Sequence, residues 1–168
     1  MNRFLRLLKH RWLDESDARR ALGPAALDRL QARVRASEAR HSGEIRVMVE
    51  AGLPLSYLWR NAPARQRAVT LFGKLRVWDT EHNNGVLIYL LLADHAIEIV
   101  ADRGVARQVA PEHWHQIIAS LRQALREHRF EAGLTAAVDE VDALLARHFP
   151  LTEGEVNPNE LPDAPLMG

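Results

Sequence analysis

The stretch that most constrains the fold is Val86 to Ala93, the longest apolar run in the chain and one of strand length. Val86 to Leu92 are too apolar to face water on either side, so they read as a central strand. The polar loop Asp79-Thr80-Glu81-His82-Asn83-Asn84-Gly85 precedes it. Ala93, Asp94 and His95 are few enough for a hairpin, so Ala96 to Ala101 should return antiparallel, and Asp102-Arg103-Gly104 ends that second strand. Residues 44–51 alternate, with Ile45, Val47 and Val49 on one face and Glu44, Arg46, Met48 and Glu50 on the other. This predicts a half-buried or edge strand.

Helical periodicity surrounds these strands. Pro24 suits a first helical position after Gly23, and Leu27, Leu30 and Val34 recur at three and four residues, so 24–41 reads as an amphipathic helix that Gly43 ends. Residues 52–62 read as loop. Pro63 opens a second helix that buries Ala68, Leu71, Phe72 and Leu75 and runs to about Trp78. Pro111 opens a third, with Trp114, Ile117, Ile118, Leu121 and Leu125 inward; a fourth follows Arg129, with Leu134, Val138, Val141, Leu145 and Phe149. Strands embedded among helices predict an α/β fold, a three-layer α/β/α sandwich with a small central mixed β-sheet. Residues 105–110 are a candidate fourth strand.

The two ends have their own character. Residues 1–22 form an N-terminal basic amphipathic segment. Within 1–13, Phe4, Leu5, Leu8 and Trp12 recur at helical spacing among Arg3, Arg6, Lys9 and Arg11, with no acid between them. Such a helix packs on its own domain or lies on an anionic membrane surface or a partner. Residues 23–149 form the α/β domain. Residues 150–168 form an extended acidic, Pro-rich tail with Glu153, Glu155, Glu160 and Asp163, draped over the domain or free, which cannot be a regular helix or a central strand.

Length and composition bound the chemistry. A chain of 168 residues fits one domain that buries about two-thirds of its unfolded surface. With no cysteine, thiolate catalysis, Cys-ligated metals and a disulfide framework are excluded. The zero net charge is a cancellation: residues 1–84 carry 16 basic and 9 acidic side chains, and residues 85–168 carry 6 and 13. No stretch approaches the roughly 20 apolar residues of a membrane span, and Lys9, His10 and Arg11 interrupt any signal-peptide core. The expected location is cytoplasmic, peripheral to the inner membrane if the basic helix docks there.

The topology gathers polar residues that are distant in sequence. The start of the central strand should lie beside the end of its hairpin partner, and a helical crossover would make the strand at 44–51 parallel to the central one. Ser42, Glu44, Asp79, Glu81, Asn83, Asn84, Asp102 and Arg103 then share one sheet edge. Carboxylate and amide oxygens on loops are hard ligands, suited to Ca²⁺ or Mg²⁺, with Glu44, Asp79, Asn83, Asn84 and Asp102 as the candidate metal set. The alternative is that Asp and Asn satisfy turn backbone and that Asp102 pairs with Arg103 or caps a neighbouring amide. An EF-hand loop starting at Asp79 would need Gly at Asn84 and Glu at Leu90, so a cation would be held by several loops at once.

Other chemistries find little support. His113 and His115 point about 200° apart on a helix and cannot readily share a metal. The chain lacks a phosphate-binding Gly-Lys-Ser/Thr loop, a Gly-x-Ser-x-Gly elbow, His-Glu-x-x-His and Gly-x-Gly-x-x-Gly. Nucleic acid is an unlikely partner, because no aromatic platform interleaves the basic residues.

Ser42-Gly43-Glu44-Ile45, the helix before Trp78, Asn83-Asn84-Gly85-Val86-Leu87, Ile97 through Gly104 and the paired C-terminal helices together resemble the TPM domain. That family includes thylakoid-lumen acid-phosphatase-like proteins and many bacterial ones. Asn159-Glu160-Leu161-Pro162-Asp163 resembles the tail of a soluble bacterial branch. The resemblance implies an α/β/α sandwich, a functional polar edge carrying Glu44, Asn84 and Asp102, calcium binding as in some members, and the phosphatase activity claimed for plant ones. Many secreted members have glycine in place of Asp102, a signal peptide and a C-terminal membrane helix. The expected role is a divalent-cation or partner-binding module near the bacterial inner membrane. The alternatives are a metal-assisted phosphomonoesterase, using Asp102 or Asp79 for the metal and Arg103 for the phosphate, and a protein that docks on membranes through residues 1–13.

Overall fold

The computed structural model describes residues 3–152, 154, 157 and 159–168, with side chains from residue 5 onward. Glu153 and Glu155 of the tail, and the side chains of Arg3 and Phe4, lie outside the described residues. Four strands, β1 (Glu44–Glu50), β2 (Gly85–Leu91), β3 (Ala96–Ala101) and β4 (Leu166–Met167), form one sheet in the order β3-β2-β1-β4. β2 and β3 are an antiparallel hairpin and β1 runs parallel to β2, as the chain's apolar pattern predicts. The helices are α1 (Arg3–Trp12), α2 (Glu15–Ala21), α3 (Pro24–Glu38), α4 (Leu55–Trp59), α5 (Ala64–Lys74), α6 (Arg103–Gln108), α7 (Pro111–Arg126) and α8 (Phe130–His148).

The alternation along each strand sorts side chains into two cores. Ile45, Val47, Val49, Val86, Ile88 and Leu90 pack with α2, α3, α6, α7 and α8. Met48, Leu87, Tyr89 and Leu91 pack on the other face with α4, α5 and Leu161 of the tail. Each fully buried aliphatic side chain contributes about 1.5–3 kcal/mol relative to leaving it in water, so both layers are needed. The result is the expected α/β/α sandwich around a mixed sheet.

Four expectations are corrected. β1 is an inner strand with every residue buried, because the tail returns alongside it and covers its polar face. Residues 105–110 fall mostly in α6: Val105 and Val109 are four apart, the helical spacing, and both enter the core. Residues 52–62 include the short helix α4. The helix opened by Pro63 ends at Lys74, and Arg76 adopts a left-handed φ of 56°.

One further helix, α2, was not expected, and the tail takes the draped course rather than the free one. α2 is announced by Asp14, whose side chain accepts from Ser16 while the Asp17 side chain accepts from the Asp14 backbone, a capping box. The tail crosses the strand starts: Pro150 bridges to His41, the Asn157 amide donates to the carbonyls of His41 and Gly43, and β4 pairs in parallel with Met48 and Val49 of β1.

α1 is seated by its polar side. Arg6 Nη2 lies 2.7 Å from Asp94 Oδ2, and His10 Nε2 lies 2.9 Å from Asp94 Oδ1. The Leu53 N–H donates to His10 Nδ1 at 2.9 Å, which leaves the ring proton on Nε2, facing Asp94. Burial works to raise Asp94, but the Arg6 and His10 contacts outweigh it and hold the carboxyl below its ordinary value. Leu5, Leu8 and Trp12 face solvent.

Candidate functional site

The register sets the start of β1 opposite the start of β2, with Glu44 beside Gly85, and the end of β3 opposite the same point, with Val86 beside Ala101. Three loops therefore meet at one sheet edge. They meet closely because two positions lack a side chain: a Cβ on Gly85 would lie 1.9 Å from the Val77 carbonyl oxygen, and one on Gly104 would lie 2.5 Å from that of Asn83. Asn83 takes a left-handed φ of 52°, a conformation asparagine tolerates better than most residues.

Hydrogen bonds tie the loops together. Asn84 Nδ2 donates to Ser42 Oγ at 3.1 Å, and the Asn84 N–H donates to Thr80 Oγ1 at 3.0 Å. The Asp102 N–H donates to the Gly85 carbonyl at 2.9 Å, while Asp102 Oδ1 caps α6 by accepting from the Arg103 N–H at 2.6 Å. Arg103 Nε donates to Asn83 Oδ1 at 2.8 Å. Ser42, Asn83, Asn84, Asp102 and Arg103 are thus brought together as expected. Two oxygens in this group, Asn84 Oδ1 and Asp102 Oδ2, are buried without a hydrogen-bond partner. An unsatisfied buried acceptor costs about 1–3 kcal/mol.

The remaining predicted residues are engaged elsewhere. Asp79 lies 3.6 Å from Arg76 and is half exposed. Glu81 takes part through its backbone N–H, which donates to the Glu160 carboxylate at 3.3 Å. Glu44 Oε1 accepts from the Glu160 N–H at 3.0 Å, so the tail claims this carboxylate. Among the described residues no three His, Asp or Glu side chains form a metal-holding group. A cation at this edge would therefore lean on amide, hydroxyl and water oxygens beside the Asp102 carboxylate.

Beneath the tail lies a second polar group that the sequence hides. Glu38, Glu44, Arg46 and Asp163 each carry a buried polar atom without a hydrogen-bond partner. Burial, reinforced by the Glu44 and Asp163 carboxylates, pushes Glu38 up to about 9. Burial pushes Glu44 to about 7 against the opposing Glu160 N–H. It also depresses Arg46, which the Asp163, Glu44 and Glu38 charges counter. Nearby, His41 is wholly buried, with Nε2 3.5 Å from Asp142 Oδ1 but no well-formed hydrogen bond. Desolvation lowers it to about 4, so the imidazole is neutral at pH 7. The one signal for this group was the polar alternation Glu44, Arg46 along β1, which points inward once a tail covers it.

Among the described residues no helix is long and apolar enough to cross a membrane.

The fold recurs in known proteins. The NMR structure of protein BA42 from the psychrophilic bacterium Bizionia argentinensis superposes with a TM-score of 0.76 at 26% identity, covering 88% of this chain and 95% of that one. The solution NMR structure of the N-terminal domain of a P. gingivalis protein superposes with a TM-score of 0.63 at 21% identity, covering 78% of this chain and 82% of that one, a likeness of fold. No curated protein matches the sequence. The model of the TPM domain matches residues 16–144, from within α2 into α8, and with that span the chain belongs to the TPM domain family.

Proposed function

We propose that this chain is a cation-binding TPM-domain module whose polar edge takes Ca²⁺ or Mg²⁺ at Asn84 and Asp102. The observation that carries this reading is the pair of buried oxygens, Asn84 Oδ1 and Asp102 Oδ2, left without partners on adjoining loops. Hard divalent cations take such oxygens and complete their shells with water. Ser42 Oγ and Asn83 stand beside them. Glu44 and Asp79 join the set only by leaving the Glu160 N–H and Arg76. Thermal denaturation with and without millimolar Ca²⁺ or Mg²⁺ tests this, since a ligand that binds only the folded state raises the midpoint. The expected result is a rise that Asp102→Asn removes while keeping the helix cap; no rise with either ion refutes the reading.

A specific observation favours a second role at the opposite end of the molecule, docking on an anionic membrane surface. Leu8 of α1 and Leu55 of α4 line one shared groove, Trp12 is 84% exposed, and Lys9 and Arg11 flank them. Exposed tryptophan and leucine among cations suit a headgroup interface, and would place the module at the cytoplasmic face of the inner membrane. Sedimentation with phosphatidylglycerol vesicles should deplete the parent protein and leave Trp12→Ala/Leu8→Ser in solution; equal sedimentation of both refutes it. The phosphomonoesterase alternative rests on the family's name alone and is not adopted.

A further inference from the structure

At the far end of β2 from the polar edge, about 20 Å along the strand, α1, α2, the β2–β3 turn and the α7–α8 turn enclose a cleft of about 730 Å³. Its floor is apolar: Leu13, Leu90, Leu92, Ile97, Leu125 and Phe130 line it. Its rim carries three full cations, Lys9, Arg122 and Arg126, together with His95 and His128. One acid, Asp17, reaches the rim, and its carboxylate already accepts from the Asp14 N–H and lies 3.5 Å from Arg20. Lys9, Arg122 and Arg126 make no ion pair among the described residues, and Arg122 feels Glu98 only at longer range.

A volume in the range of about 300–1,000 Å³, mostly apolar walls and a few polar groups at one side are the marks of a small-molecule site. The charge of that polar side fixes the ligand's sign. The geometry points to a binding site for an amphipathic carboxylate, an apolar chain or ring whose body lies on Leu90, Ile97 and Phe130 and whose carboxylate meets Arg122, Arg126 and Lys9. A neutral apolar ligand would leave the three cations unanswered, and a polyanion would find no use for the floor. The site is separate from the cation edge and does not depend on it.

Calorimetric titration of the full chain with decanoate, well below its micelle-forming concentration, tests the assignment. Saturable binding at one site is expected, with decanol about tenfold or more weaker, the loss expected for removing a charge-assisted contact. Arg122→Ala/Arg126→Ala alters only exposed side chains and should weaken decanoate by a similar factor, with the circular dichroism spectrum unchanged. Leu125→Trp, which fills the cleft, should abolish binding, and Asp102→Asn should leave it intact. No saturable heat with decanoate overturns the assignment, as does equal affinity for decanol and decanoate, or a double arginine variant that binds like the parent.

Discussion

Single positions decide how closely the loops approach one another. Because a Cβ on Gly85 would lie 1.9 Å from a backbone oxygen, Gly85→Ala should cost about 3 kcal/mol. At Gly73, inside α5 with open space around its α-carbon, Gly73→Ala should instead gain about 0.5–1 kcal/mol. Urea denaturation of both variants separates contact from propensity. The buried acids make a pH prediction. Glu38 titrates near 9 when folded against an ordinary 4.5, so the folded chain holds a proton that the unfolded chain releases. Its contribution to stability is complete below pH 4.5 and is lost as pH rises to about 9. Glu44 acts the same way up to about 7. His41 works in reverse: its folded value of about 4 lies below 6.5, so its contribution grows with pH between those values. The trends oppose one another up to about pH 6.5, and above it stability should fall toward pH 9. Glu38→Gln should flatten that fall, as read by denaturation midpoints at pH 6.5, 7.5 and 8.5; an unchanged slope contradicts it. At this scale the sequence was legible for Asn83, Asn84, Asp102 and Arg103, which the hairpin register brings together, and for Ser42, which the parallel crossover to β1 adds. Glu38, Arg46 and Asp163 were not, since nothing local says that a tail will bury them.

At the level of elements, period and capping could be read wherever they were unambiguous. β2, β3, α3, α7 and α8 follow from apolar spacing, whereas α2 was missed although the Asp14–Asp17 pair signals its start. β1 was misjudged because alternation normally marks one wet face, whereas here β4 and residues 160–163 dry the second face. Residues 105–110 were misread as a strand, because the Asp102 cap that makes them helical sits three residues upstream. One carboxylate serves two residues of α1: Asp94 holds both Arg6 and His10, and His10 is buried, while Asn61, Ala62 and Leu53 add further contacts. Asp94→Ala should therefore cost about 2–3 kcal/mol and speed amide exchange across residues 3–12. Unchanged protection there would show that α1 is held by other contacts.

Over the whole molecule, the opposed charges of the two halves answer each other. Arg29 with Glu131, Arg33 with Asp139 and Arg40 with Asp142 pair the basic α3 region with the acidic α8, and Arg6 with Asp94 seats α1. The neutral total is therefore in part an internal match, and three of the cations without an ion pair among the described residues, Lys9, Arg122 and Arg126, stand around one cleft. The tail completes the sheet and the burial of Glu44 and Arg46, so a chain ending before residue 159 should lose several kcal/mol and melt at a lower temperature, measurable by calorimetry. The sandwich could be argued from sequence because it needs only periodicity and short connections. The role of the tail could not, because its two-residue strand carries no pattern. Between the two ends of β2, the central claim concerns the edge where Asn84 and Asp102 meet. Isothermal titration with Ca²⁺ tests it most directly: the parent should bind one ion saturably, and Asn84→Ala and Asp102→Asn should each weaken binding about tenfold or more. Absence of binding heat, or variants that bind like the parent, would contradict it.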